Sequence, residues 1–481
     1  MAIKNEKHSD ANMSLFWFRS DLRIASNEAL AAAINSDKLL HLLYILDEDL
    51  GVAPGKATAW WLHHSLADLS QRIADRGGKL ILRRGKTADV FADLIKDLPS
   101  FDLYYNADFA PQYREMDKAV THALEAAGYT ANRFCDRLVV PGSLKTQAGG
   151  WYKVFTPYYK ALLNELQLRP QPFAPEAFEL PQQELASDHL EDWGLLPTKP
   201  NWASGFGDEW TPGETGAQER LMDFVQDTIA GYKSGRDFPI KEAVSRLSPH
   251  LRFGELSLNS VWQAAEFYAE DKAAPFTRQL VWKEFSTELL YQFPKLPREA
   301  FKPEYDRMPW QKDPKGLKAW QKGMTGYPLI DAGMRELWHS GYMHNRVRMV
   351  VASFLIKDLL IDWREGLKWF DETLVDADDA NNAASWQWVA GSGADAAPYF
   401  RIFNPVRQSE KFDPKGEYIR KWVPELADLT KDEIHAPWEV PEMDLRMKGV
   451  VLGDTYPKPI VDHAEARRRA LKALEVTKEE A

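Results

Sequence analysis

Between residues 14 and 134 short apolar runs alternate with helix-patterned stretches, and few architectures accept that order. Strands read at 14–18, Leu39–Leu46, 79–83, 102–106 and 129–134, with helices at Glu28–Ile34, 58–76, Thr87–Asp97 and 113–127 between them. A strand that is apolar throughout is buried on both faces, and a helix between consecutive strands makes the crossover that parallel pairing needs. The spacing therefore predicts an α/β domain, a doubly wound, Rossmann-like parallel sheet covered on both faces. Asn27 is placed to cap the first helix. No GxGxxG follows the first strand, so a typical dinucleotide-binding half is excluded and the ligand of this sheet stays open.

After the sheet the pattern changes. Seven prolines and little periodicity between 170 and 212 read as a connector. From 217 onward the apolar spacing is helical and strand alternation is absent, so a mostly α-helical second domain is expected. The expected division is an extension without structure of its own at 1–12, the α/β domain at 13–145, the connector at 146–216 and the helical domain at 217–481. Aromatic residues surround Lys153 and Lys160 at 151–163 (WYKVFTPYYKALL), which reads as an amphipathic docking helix in preference to a DNA contact. The charged helix at 462–476 reads as solvated. A single cysteine, Cys135, excludes disulfides within the chain and four-cysteine metal sites, so no metal is expected. No apolar run reaches membrane-spanning length, and a cytoplasmic monomer is the expectation. The net charge of −11 argues mildly against a nucleic-acid partner, although phosphate binding depends on a local basic patch.

The chemistry concentrates at 341–388. Tyr342, Val347, Val350, Val351, Phe354 and Leu355 recur at helical steps, which leaves Asn345, Arg346 and Arg348 to face something else. Asp376, Asp378, Asn381, Asn382, Trp386 and Trp388 then fall within thirteen residues. On residue types alone, a structural Arg348–Asp376 pair with core tryptophans fits as well as a functional site does. Ser245-Arg246-Leu247-Ser248-Pro249 offers hydroxyls, a guanidinium and backbone N–H groups suited to a pyrophosphate, yet an ordinary helix cap uses the same residues.

Residue order narrows this. MHNRVRM at 343–349, IDWREG at 361–366, DADDANNAASWQW at 376–388 and DAAPYFRIFNP at 395–405 resemble the signatures of the DNA photolyase and cryptochrome family, in that family's order. The resemblance runs from Phe16 to about Pro424 and is most like a bacterial cyclobutane pyrimidine dimer photolyase. It implies FAD lined by Tyr232, Ser245, Arg246, Leu247, Ser248, Phe276, Lys283, Asn345, Arg348, Asp376, Asp378 and Asn382. Val244 stands where the family usually has Thr or Ser. Asn382 would lie at flavin N5, where an amide is a poor proton donor and favours the fully reduced flavin. Plant cryptochromes carry Asp there and animal ones Cys, so Asn382 points to repair. Trp386, Trp363 and Trp310 match the family's electron relay.

On the substrate side, Trp282 and Trp388 match the walls that stack on a flipped-out lesion, with Asn345 and Met349 as further contacts. Arg236, Arg346 and Arg401 resemble phosphate contacts. Gln279 departs from the Glu of bacterial dimer repairers and matches the (6-4) photoproduct repairers. Those enzymes also carry a histidine pair, of which this chain has only His344. The resemblance thus implies light-driven repair of cyclobutane pyrimidine dimers in UV-damaged DNA. The alternatives are a cryptochrome-type blue-light photoreceptor and a (6-4) photolyase. The segment at 104–117 resembles the family's antenna-proximal stretch. Ala110 departs from the Glu usual in folate binders; methenyltetrahydrofolate, bound differently, is still the first expectation for the antenna and a deazaflavin the second.

Overall fold

The computed structural model describes residues 12–479 apart from 51, 180, 182–183 and 396–399. The extension expected at 1–12 therefore lies outside the described residues except for Asn12, and so does part of the DAAPYFRIFNP motif.

Five strands and their helices appear in the expected order: β1 (Met13–Phe18), α1 (Glu28–Ile34), β2 (Leu39–Leu46), α2 (Ala57–Ala74), β3 (Leu80–Arg84), α3 (Thr87–Asp97), β4 (Phe101–Asn106), α4 (Pro111–Ala126) and β5 (Thr130–Phe134). All pairings are parallel, in the order β3-β2-β1-β4-β5. β1 lies in the middle and is buried at every residue. That explains its apolar run: Leu15 and Trp17 cluster with Leu43 and Leu103 of the neighbouring strands and with Phe91 of α3. Asn27 caps α1 as expected, accepting from the Leu30 amide at 3.2 Å.

The described part of the proline-rich stretch holds two short helical pieces, a 3-10 turn at Leu190–Trp193 and a four-residue helix at Phe206–Glu209. Bonds from the Phe178 amide to Arg76 O and from the Asp188 amide to Leu82 O, both 2.8 Å, tie it to the sheet elements. The chain forms two compact units that interleave in sequence. The first comprises the residues up to Trp202 with Trp210–Ala230 and Ser245–Pro294; the second comprises Ala203–Glu209, Gly231–Val244 and the residues from Lys295 onward.

Outside the sheet the first unit contains α5 (Phe155–Glu165) and the nineteen-residue α6 (Ala274–Gln292). Phe155, Tyr158 and Leu162 recur along one face of α5, and Phe155 and Tyr158 pack against Phe285 of α6. The docking role read from the sequence of α5 is thus what the packing provides.

In the second unit every long element is helical, among them α7 (Asn345–Ser353), α8 (Trp363–Thr373), α9 (Asp379–Ala390) and α10 (His463–Glu479). Two expectations need correction. The helix read at 343–360 is interrupted: His344 caps α7 by accepting from the Arg346 amide, and a π turn at Phe354–Asp358 comes after it. The wider turn lets five consecutive residues, Lys357 and Asp358 among them, all be buried. The terminal helix α10 is docked, not solvated. Ala466 and Ala470 are fully buried, and Ala470, Ala473 and Leu474 cluster with Tyr305, Met308 and Leu360. Alanines one turn apart let that face approach closely, which a charge count along the helix does not register. No described helix is long and apolar enough to cross a membrane.

Candidate flavin and lesion site

The candidate residues fall into two sets, one in each unit. In the first unit Arg246 adopts a left-handed φ of 54°. Leu247 is next in the right-handed region, at φ −85° and ψ −2°. Alternating hands turn successive N–H groups toward one side, a concavity suited to an anion. The loop is braced, because Arg220 Nε donates to Ser245 O at 3.1 Å and Ser245 Oγ accepts from the Leu247 amide at 3.4 Å. The Arg246 guanidinium lies 4.3 Å from the Trp210 ring. The helix that begins at Ser248 has only five residues, so the backbone reversal at Arg246 matters more here than a helix dipole.

On α6, Phe276 is buried against Phe224 at 4.6 Å. Gln279, Trp282 and Lys283 lie partly exposed on the same helix. The Trp282 indole stacks on Phe155 at 3.6 Å with 3° between the planes.

In the second unit Arg348 Nη2 donates to Asp376 Oδ2 at 2.9 Å and its Nε to Met343 O at 2.7 Å. Burial opposes the Arg348 charge, but the Asp376 carboxylate outweighs it and raises the pKa above its ordinary value. The guanidinium is therefore fixed at two of its nitrogens. Asp378 caps α9, accepting from the Asn381 amide at 2.8 Å and Asn381 Nδ2 at 2.9 Å. Asn382 Nδ2 donates to Leu367 O at 3.1 Å, so the amide is oriented by α8 and its Oδ1 is directed elsewhere. Tyr232 is buried beneath Arg236, whose guanidinium lies 5.2 Å from its ring. Asn345 begins α7, with Nδ2 4.0 Å from Met349 Sδ. Taken separately, the backbone cradle of the first unit fits a pyrophosphate, and the acceptor amide with the fixed guanidinium–carboxylate pair of the second fits a flavin ring.

The tryptophans matched to the family's relay differ in setting. Trp386 and Trp363 are buried, while Trp310 is half-buried against two core clusters. Gly366 of α8 lies against Trp386: an added Cβ would stand 2.1 Å from Cη2 of the indole, so only glycine admits this approach. The rings around Trp386 also include Phe370 at 5.1 Å and Trp320 at 6.3 Å. Trp320 lies outside the motifs, and only the fold brings it here. Trp388 is half-buried on the same helix as Trp386.

Of the arginines matched to phosphate contacts, Arg401 is exposed. Arg346 is engaged within its unit, donating to Asp237 at 2.8 Å and lying 4.3 Å from the Phe412 ring. His344 is buried, and burial lowers its pKa to about 4 despite the opposing Asp237, so the imidazole is neutral near pH 7.

A separate cleft in the first unit opens at the C-terminal ends of β1 and β2 and reaches α4, beside the boundary between β1 and β4 where the strand order reverses. Trp17, Arg19, Tyr44, Asp47, Tyr113 and Phe253 are among the residues that line it. Open sheets bind ligands at such switch points. Arg19 is only 8% exposed. Its Nη1 pairs with Asp117 at 2.7 Å, while Nε and Nη2 have no partner among the described residues. Tyr113 and Met116, both within the antenna-like stretch at 104–117, stand in this wall.

Residues 14–177 match the family described as DNA photolyase, and residues 276–476 match the FAD binding domain of DNA photolyase. The chain belongs to the DNA photolyase and cryptochrome family. A deoxyribodipyrimidine photo-lyase of Agrobacterium fabrum is 48% identical over 96% of this chain and 98% of its own length. Among solved structures, a bacterial class III photolyase from Agrobacterium tumefaciens superposes with a TM-score of 0.94 at 46% identity, over 98% of this chain and 99% of the other. A Synechocystis cryptochrome superposes with a TM-score of 0.87 at 29% identity, over 97% of this chain and 100% of the other. The photolyase family therefore accounts for both halves of the chain, and the FAD-binding region includes α6 through α9.

Proposed function

We propose that this photolyase-family chain is a light-driven DNA repair enzyme that splits cyclobutane pyrimidine dimers, with FAD as its cofactor and UV-damaged DNA as its partner, acting as a monomer. The observation that carries this reading over a photoreceptor is Asn382. Its Nδ2 is held by Leu367 O, so it offers an acceptor oxygen and no acid to the position where the resemblance places flavin N5. Arg348 with Asp376 would fix charge at the ring, and the Arg246–Leu247 backbone would receive the pyrophosphate. Bound in its reduced form, FAD supplies a light-excited electron. Trp282 and Trp388 would stack on the extruded dimer and exclude water, with Asn345, Met349 and Gln279 at its edges. Opening of the cyclobutane ring breaks two carbon–carbon bonds and returns the electron, so the reaction has no net redox change. Trp310, Trp363 and Trp386 serve reduction of the cofactor, while Arg236, Arg346 and Arg401 hold the strand.

His344 supports the dimer over the (6-4) lesion. It is a single histidine, kept neutral by burial, with Nδ1 committed to capping α7. For the antenna we favour methenyltetrahydrofolate, with a deazaflavin second, in the cleft lined by Arg19 and Tyr113. The near-ultraviolet absorbance of chromophore released from purified protein decides between them.

The decisive experiment illuminates chemically reduced protein with an oligonucleotide carrying one cyclobutane dimer. Restoration of the two pyrimidines in blue light and none in the dark is expected. No repair in light supports the photoreceptor reading, which the likeness to a cryptochrome structure keeps in view. Repair of a (6-4) oligonucleotide alone reassigns the lesion. Gln279→Glu is expected to change dimer repair by no more than about tenfold. Charge-assisted hydrogen bonds to the bases are roughly twice as strong, and desolvating the new carboxylate offsets the gain.

A further inference from the structure

Phe155 belongs to the aromatic stretch at 151–163, for which the sequence supplied only a packing role. Its ring does more than fill space. At 1% exposure it lies parallel to the Trp282 indole, 3.6 Å away and tilted by 3°. Most aromatic pairs adopt edge-on or offset geometries, so a close parallel stack is a specific arrangement. The stack is itself braced. Phe285 meets Phe155 edge-on at 5.8 Å and Trp282 edge-on at 5.9 Å. Arg278, one turn before Trp282 on α6, places its guanidinium 4.6 Å from Phe155 and 4.8 Å from Tyr159. Among the described residues, the ring contacts of Trp282 are one face on Phe155 and one edge toward Phe285. The indole itself is half-buried, so part of its surface stays open to solvent.

We infer that Phe155 is a positioning residue for lesion recognition, and this rests on the reading of Trp282 as a wall of the lesion pocket. An indole anchored only through its two side-chain torsions can tilt by tens of degrees, and stacking is lost when the planes diverge. Phe155 fixes the plane of Trp282 before DNA arrives, so no ordering of the indole is required on binding. α5 thereby contributes to damage specificity without touching DNA.

The test compares dimer-containing and undamaged duplexes, bound in the dark to FAD-loaded protein, for wild type, Phe155→Leu, Trp282→Ala and the double variant. Loss of an aromatic pair corresponds to roughly two- to tenfold in affinity. Phe155→Leu is expected to weaken dimer-duplex binding by that factor, to leave undamaged duplex unchanged and to add nothing in the Trp282→Ala background. Phe155→Met, which fills similar volume without a flat face, is expected to repeat the result, and Phe155→Tyr to restore it. An equal loss on both duplexes, or the same loss with Trp282 already removed, overturns the inference and leaves the lesion reading intact. If Trp282→Ala retains full preference for the dimer duplex, the lesion reading fails and this inference with it.

Discussion

Trp363 is fully buried, with the Arg364 guanidinium 4.6 Å from its ring. That cation alone would make the indole harder to oxidise. The same guanidinium is bound by Asp362 and by Asp306, so two carboxylates outnumber one cation beside the ring. A transient positive charge on Trp363 is tolerated there. Trp363→Phe, which keeps most of the packing, is expected to slow photoreduction of oxidised flavin while repair by pre-reduced protein continues; photoreduction at the wild-type rate routes the electron elsewhere. Lys357 makes a second residue-scale prediction. It is buried in the π turn, donates to Arg401 O and lies 4.4 Å from the Phe400 ring. Burial lowers its pKa to about 7 against the opposing pull of Asp358. The unfolded lysine keeps its proton to about pH 10, so between about pH 7 and 10 the unfolded chain binds more protons and stability rises with pH. Lys357→Met is expected to flatten that slope, read from urea midpoints across the same range.

At the scale of elements, α10 is a structural part of the second unit. Besides its alanine face, His463 pairs with the buried Asp358 at 2.5 Å, and Thr477 bonds to Met308 Sδ at 3.1 Å. Burial pushes the Asp358 pKa up, and His463 opposes that shift. Ending the chain after Val461 removes the apolar cover and strands a buried carboxylate. Such a loss costs roughly 3–5 kcal/mol. Urea unfolding followed by tryptophan fluorescence is expected to show that decrease, with faster proteolysis around Tyr305 and Met308. A truncated chain of unchanged stability would make the helix an ornament.

For the whole molecule, a net charge of −11 has to coexist with a polyanionic partner. The proposed DNA contacts are few, so the salt dependence of binding is expected to be shallow for a DNA-binding protein. Each phosphate contact adds about one to the log–log slope against salt. Arg401→Ala and Arg236→Ala are each expected to lower that slope by about one. Arg346 pairs with Asp237, and a slope for Arg346→Ala unchanged from wild type would mean that DNA does not displace that carboxylate.

The sheet order was legible because a strand buried on both faces must be apolar throughout, and a parallel crossover must be long. The candidate site was legible as residue types in a set order, since Arg348, Asp376, Asp378 and Asn382 lie close together in sequence. The chain did not disclose that Asn382 is oriented by a carbonyl on α8, that Gly366 lets α8 reach Trp386, or that Trp320 stands beside Trp386. It did not disclose that α10 is docked or that Phe155 stacks on Trp282. The division has a physical origin. Periodicity and short-range order are properties of neighbouring residues, and the sequence alone determined them. The plane of a ring, the direction of an amide and the charge state of a buried lysine depend on groups distant in the chain, which only tertiary packing brings within a few ångströms.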